Sequence, residues 1–237
     1  MNARIVDSSD GVTLVGGAPV GVQLLQMALR RAPRLVAADG GADRVLAAGL
    51  MPEAVIGDFD SISDRARGVI PCDRQHLIAE QDTTDFDKAL RSVQAPFVLG
   101  LGFAGARIDH GLAVFNALVR QAGQRCIILG PQDLVFLCPP AITLRLVPGD
   151  RLSLFPMGPV SGISSGLRWP IQGLGFTPGG VIGTSNEVAA AEVGLEFDAP
   201  CMLVIVPRGR LDAVLNALAP QWRPPRAGRA PRSVRGE

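Results

Sequence analysis

Long apolar runs, clustered cysteines and an excess of charge of one sign are all missing from this chain, and each absence removes a class of protein. No apolar run reaches the ~18 residues of a membrane-spanning helix, and the first residues carry no charged segment followed by an apolar core. The expectation is a soluble, cytoplasmic protein with no membrane partner. Cys72, Cys126, Cys138 and Cys201 are far apart with no C-x-x-C, and the only histidines are His76 and His110. A structural zinc site needs closer ligands than these. Cys126 and Cys201 each open an apolar run and read as small core residues. The formal net charge is only +1, and it hides an asymmetry: beyond Pro220, five arginines against Glu237 give a local +4 and leave the rest about −3. A slightly acidic body argues against nucleic acid as a partner.

What is present is enough apolar material for a full core. At 237 residues with 47% hydrophobic and 19% charged residues, the chain suits one large domain or two small ones. Up to about residue 137, β-like runs (12–15, 34–38, 53–56, 76–79, 97–101, 125–129 and 135–137) alternate with helical patterns (20–31, 42–48, 84–93 and 109–122). That alternation predicts a doubly wound, largely parallel sheet. After Pro139-Pro140 the helical period stops. Short runs at 143–147, 151–155, 162–169, 188–197 and 202–206 follow, punctuated by Gly and Pro, before a closing helix at 211–218. These predict an all-β sandwich or small barrel. The expected plan is an α/β domain over 1–140, a β-sandwich domain over 141–219 and a disordered basic tail over 220–237.

Polar motifs fall at the carboxyl ends of proposed strands, the edge where open α/β sheets bind ligands. Gly57-Asp58-Phe59-Asp60-Ser61 places two acids at i and i+2, on one side of the chain if it is extended. A hard cation between them would relieve their repulsion, and Mg²⁺ favours one or two carboxylates plus phosphates; a polar turn after a buried strand is the other reading. Asp39-Gly40-Gly41-Ala42 suits either a phosphate or ribose cradle or a structural turn. In the stretch from Gln81 to Lys88, Thr84 can cap a helix, while Asp85 and Lys88 share a face as a metal carboxylate and a phosphate-binding lysine. Arg107-Ile108-Asp109-His110 enters the next helix, with Asp109 open to a capping or a chemical role and Arg107 suited to a polyphosphate.

In order, these motifs and the later Gly166-Leu167-Arg168-Trp169-Pro170 and Thr184-Ser185-Asn186-Glu187 closely resemble thiamine pyrophosphokinases over residues 35–207. The resemblance implies an ATP-dependent transferase that moves a pyrophosphoryl group from ATP to the hydroxyl of thiamine, on an α/β domain plus a β-sandwich. It implies a homodimer with active sites at the subunit interface. It further implies Mg²⁺ on Asp58, Asp60 and Asp85, ATP near Asp39, Gly40, Gly41 and Arg107, and Lys88 and Arg107 near the phosphates. Gln81, Asp109, Ser185 and Asn186 would face thiamine, with Trp169 stacked on its pyrimidine. Asp43 and Ala106 depart from the commonest pattern, which has Asn and Gly there. Two competitors stand beside this reading: another Mg²⁺-dependent nucleotide phosphohydrolase on the same scaffold, and a non-catalytic thiamine or nucleotide sensor.

Overall fold

The computed structural model describes residues 4–105 and 107–223; Ala106 and the arginine-rich tail from 224 onward lie outside the described residues. The described chain forms two compact units divided between Gly102 and Phe103. No helix among the described residues is long and apolar enough to cross a membrane.

The first unit is built on a parallel sheet whose spatial order is Val98–Leu101, Val12–Val15, Arg34–Ala38, Ala54–Gly57 and Gln75–Leu77. Val12–Val15, Ala54–Gly57 and Val98–Leu101 are buried at every position, as expected of strands covered on both faces. Strands are added outward from Val12–Val15 on one side until Gln75–Leu77, and then Val98–Leu101 joins on the other. That reversal is the switch point at which doubly wound sheets open a crevice beyond the strand ends. Helices Val22–Leu29, Gly41–Ala47, Asp64–Val69 and Asp85–Arg91 connect the strands. Asp64–Val69 is a helix that apolar periodicity does not reveal, because only Ala66 in it is buried.

The second unit carries helix Ile108–Arg120 and antiparallel strands. One set runs in the order Gly183–Glu187, Arg151–Pro156, Met202–Pro207, Asp133–Leu137 and Cys126–Leu129; the other is Ala141–Arg145, Glu192–Phe197, Val160–Ser165 and Gly175–Phe176. Ala141–Arg145 alternates exposed and buried residues strictly, the mark of a sheet with one solvated face. Helix Leu211–Leu218 closes the unit against the Ala141–Arg145 strand.

Three expectations change in detail. The run 162–169 is not one strand: it stops at Ser165 because Gly166 adopts φ +76°, where a Cβ would also lie 2.2 Å from the Glu192 carbonyl oxygen. The run 188–197 becomes a strand only from Glu192, while Gly183–Glu187 forms a separate strand before it. Cys126 is buried as expected, but Cys201 is only partly covered.

Candidate active site

The strand ends of the first unit bring four carboxylates together. Oxygens of Asp39, Asp58, Asp60 and Asp85 all lie within 4.8 Å of one another. Pairing of Ala38 with Ile56 sets the end of one strand beside the next, and the Asp39 N–H donates to the Ile56 carbonyl at 3.0 Å. Gly57 makes the approach possible: a Cβ there would stand 2.7 Å from the Asp39 Cβ and 3.2 Å from Asp85 Oδ1. Asp58 and Asp60 do not converge through an extended chain. Phe59 between them adopts φ +64°, so the backbone turns, and the Asp60 N–H points back at Asp58 Oδ1 at 3.4 Å. Asp39 is also left-handed at φ +41°. Such conformations cost non-glycine residues on the order of 1–3 kcal/mol and concentrate where geometry serves function.

Asp85 arrives through a local motif in which the helix cap forms as expected and Asp85 and Lys88 share a face. Thr84 caps the Asp85–Arg91 helix, its side-chain oxygen accepting from the Asp87 N–H at 3.3 Å, which leaves Asp85 free for the cluster. Lys88, one helical turn later and 1% exposed, is the counter-ion: its Nζ donates to Asp58 Oδ2 at 2.7 Å and to Asp85 Oδ1 at 3.2 Å. Gln81 Nε2 donates to the same Asp58 oxygen at 3.1 Å. The Lys88 hydrogen bond holds the Asp58 carboxyl below the usual range. Burial works to lower the Lys88 pKa, but its bonds to Asp58 and Asp85 outweigh that and raise it.

Asp39 behaves in the opposite way. Burial pushes its pKa up to about 6, opposed by the Ser61 N–H that donates to Oδ2 at 2.9 Å and reinforced by the negative charges of Asp85 and Asp60. Its other oxygen, Oδ1, is buried without a hydrogen-bond partner. Four carboxylates supplying hard oxygen donors, two of them bonded to one ammonium, with a buried carboxylate oxygen left over, fit a hard divalent cation such as Mg²⁺ and not a soft-ligand metal. Sequence reasoning assigns Asp39 to a nucleotide cradle and misses it as a member of this cluster; the signal is Gly57, whose missing Cβ admits it. Gly40 and Gly41 open the following helix, where a Cβ on Gly41 would meet the Val15 carbonyl oxygen at 2.0 Å. Asp43, one of the two departures from the family pattern, has a local task. It accepts from the Ser63 N–H at 3.0 Å and from the Ser63 hydroxyl at 2.5 Å, while that hydroxyl caps Asp64–Val69 by accepting from the Ala66 N–H.

The remaining candidates belong to the second unit. Arg107 precedes helix Ile108–Arg120 and forms a forked pair with Asp109, Nε to Oδ1 at 3.1 Å and Nη2 to Oδ2 at 2.5 Å, both side chains exposed. The Arg107 guanidinium holds the Asp109 carboxyl down to about 2. Asp109 therefore lies in the first turn paired with Arg107, and no side chain caps this helix. Trp169 is 53% exposed, with the Arg168 guanidinium 5.0 Å from its ring centroid. Ser185 adopts φ +61°, its N–H donating to the buried Ser153 hydroxyl at 2.9 Å. Asn186 is buried against the Trp169 backbone. Thus Asp39, Asp58, Asp60, Gln81, Asp85 and Lys88 are brought together in one unit, and Trp169 and Asn186 in the other.

Comparison with known proteins divides the chain later than the compact units do, since the first match runs past Gly102. Residues 25–129 match the family model described as thiamin pyrophosphokinase, catalytic domain, and residues 141–202 match that described as thiamin pyrophosphokinase, vitamin B1 binding domain. Thiamine pyrophosphokinase 3 of Oryza sativa subsp. japonica is 30% identical over 217 residues, 73% of this chain and 80% of that protein. Thiamine pyrophosphokinase of Bacillus subtilis is 25% identical over 182 residues, 72% of this chain and 85% of that protein. A solved structure of thiamin pyrophosphokinase from Candida albicans superposes with a TM-score of 0.71 at 17% identity, covering 84% of this chain and 89% of that one, a likeness of fold.

Proposed function

The chain belongs to the thiamine pyrophosphokinase family, and from that premise we propose how its own residues transfer the pyrophosphoryl group of ATP to the hydroxyl of thiamine, giving thiamine diphosphate and AMP. The observation that carries the reading is where the candidate residues fall in the two family matches. The acid cluster, Arg107 and Asp109 fall inside the catalytic match, and Trp169, Ser185 and Asn186 inside the vitamin B1-binding match. We accordingly place the functional boundary near residue 140, with 1–140 catalytic and 141–219 vitamin-binding.

Transfer of this kind asks the protein to hold an alcohol in line with the β-phosphorus and to neutralise charge on oxygen. The thiamine hydroxyl oxygen bonds to the β-phosphorus while the bond to the oxygen bridging the α- and β-phosphorus breaks; AMP leaves, and the hydroxyl proton is released to water. Asp58, Asp60 and Asp85 would hold Mg²⁺, with Asp39 beside them, and the ion would neutralise phosphate charge when bound. Lys88 keeps Asp58 and Asp85 in place, and two of its three ammonium hydrogens do so. Gly40, Gly41 and Arg107 would contact ATP, and Gln81 would reach thiamine. Asp109, held near pKa 2 by Arg107, is a weak base, so its task would be to orient the hydroxyl by accepting its hydrogen bond. Trp169 offers an exposed indole for the cationic vitamin, and Ser185 would add a hydroxyl. By the family resemblance the protein would be a homodimer in which Trp169 serves the neighbouring subunit's site. Free thiols at Cys72, Cys126, Cys138 and Cys201 and the use of ATP suit the cytoplasm.

The test is to incubate the protein with ATP, Mg²⁺ and thiamine and to quantify AMP, ADP and thiamine diphosphate, with no-thiamine and EDTA controls. Equal, thiamine-dependent AMP and thiamine diphosphate, lost with EDTA, is the expected result. ADP or thiamine-independent phosphate would instead identify a phosphohydrolase, and thiamine binding without turnover a sensor.

A further inference from the structure

The Trp169 backbone is held by a side chain. Its N–H donates to Asn186 Oδ1 at 3.2 Å, and its carbonyl accepts from Asn186 Nδ2 at 2.7 Å. Oδ1 also accepts from the Glu187 N–H at 2.8 Å. The orientation of this amide is fixed by its neighbours, since a flipped group would set its NH₂ against two N–H donors and its oxygen against a carbonyl. Just before this contact, main-chain pairing joins the same segments: the Arg168 N–H donates to the Glu187 carbonyl at 2.8 Å, and Leu167 bridges Val188. At Trp169 the Asn186 amide continues that pairing as a surrogate peptide group. Asn186 is 7% exposed while the Trp169 indole stands half in solvent, so the clamp is inside and the aromatic surface outside.

We propose that Asn186 is a positioning residue that fixes the Trp169 platform, a role distinct from contact with the vitamin; the proposal rests on the reading that thiamine stacks on Trp169. Both lone pairs of Oδ1 are used within the protein, and one of the two Nδ2 hydrogens is used on Trp169. Removing the amide leaves the Trp169 N–H and C=O without these partners and frees the segment before Pro170 to move. The indole then samples orientations that do not stack, and the cost falls on thiamine binding.

The test uses the full chain with Trp222→Phe, which leaves Trp169 as the single tryptophan. Fluorescence anisotropy and acrylamide quenching of Trp169 without ligand are compared for this background and for Asn186→Ala and the isosteric Asn186→Asp. Steady-state kinetics follow, including Trp169→Ala and the double variant Trp169→Ala/Asn186→Ala. We expect lower anisotropy and stronger quenching in the Asn186 variants. We also expect a rise of about tenfold in KM for thiamine, with kcat and KM for ATP little changed. In the Trp169→Ala background the Asn186 substitution should add nothing. Unchanged anisotropy, or effects that multiply in the double variant, would overturn the proposal in favour of direct contact with the vitamin. If Trp169→Ala leaves KM for thiamine unchanged, the stacking reading fails, and anisotropy alone then decides whether Asn186 clamps Trp169. Should Asn186→Ala not fold, Asn186→Asp gives the same readouts, because it loses the donor to the Trp169 carbonyl but keeps the shape.

Discussion

The acid cluster and the Trp169 platform solve the same problem, holding side chains at fixed positions, by opposite electrostatic means. Both use strained backbone: Asp39, Phe59 and Ser185 are the non-glycine residues with positive φ among the described residues, and all lie in these two regions. At the platform the polar groups satisfy one another, with Asn186 bonded to Trp169 and the Arg168 guanidinium 3.1 Å from a Glu187 oxygen. In the cluster, Lys88 serves only Asp58 and Asp85 of the four carboxylates, and Asp39 Oδ1 is buried unpaired. The platform is therefore complete as folded protein. The cluster keeps negative charge and a buried oxygen that its side-chain partners do not match, which is what the proposed cation would supply.

The sharpest way to break this contrast is to remove a carboxylate while keeping its shape. Asp60 is exposed, and its oxygen accepts from the Ser61 hydroxyl at 2.7 Å, a bond an amide oxygen can retain. Asp60→Asn is expected to lower pyrophosphoryl transfer by on the order of 10³-fold with the melting temperature unchanged, because charge at the metal is lost and packing is not. A variant that keeps its activity would remove Asp60 from the metal site.

A second perturbation acts on Lys88, the counter-ion of Asp58 and Asp85. Lys88→Met leaves Asp58 and Asp85 facing each other without the ammonium, and breaking a buried pair in this way costs about 3–5 kcal/mol. Mg²⁺ is expected to restore more stability to this variant than it adds to the parent protein, measured as the shift in melting temperature on adding the ion. Equal shifts would mean that Lys88 and the cation do not act on the same carboxylates. At the platform, by contrast, Mg²⁺ should leave the Trp169 fluorescence anisotropy of Asn186→Ala unchanged.

The two regions also differ in how far the sequence displays them. Asp58, Asp60, Asp85 and Lys88 are legible because short local motifs carry them: a strand end, a turn and a capped helix start. Asp39 is not, because its place depends on the pairing of Ala38 with Ile56 and on the missing Cβ of Gly57. The extended-chain argument for Asp58 and Asp60 names two residues that the fold does bring together, but by the wrong geometry, since Phe59 turns the chain. Asn186 is harder still, as its partner lies seventeen residues away on another segment. Its neighbours in sequence say only that it follows Ser185. The helix Asp64–Val69 goes unread for a simpler reason: Ser63 and Asp64 form a start signal, but the helix has too few apolar positions to show a period.

The smallest expected effect separates two carboxylates inside the cluster. The Asp39 pKa is raised from 3.8 to about 6, so its protonated form is the one that folding favours. Its contribution to stability is full below about pH 4 and is lost as the pH rises through about 6. Asp58 has the opposite sign: Lys88 holds its pKa below the usual 3.8, so its contribution is present above that value and is lost as the pH falls below it. In EDTA, urea midpoints between pH 4 and 6 should therefore decline with rising pH through Asp39, against whatever other groups contribute. Asp39→Asn keeps an oxygen for the Ser61 N–H and carries no titrating charge, so it should remove that decline and leave the loss below pH 4 in place. Mg²⁺ should shrink the difference between parent and variant at pH 7, because the cation favours the ionised form of the parent carboxylate. Parallel pH profiles for the two proteins in EDTA would show that Asp39 does not titrate in this window. The cluster would then resemble the platform in being electrostatically settled without its cation.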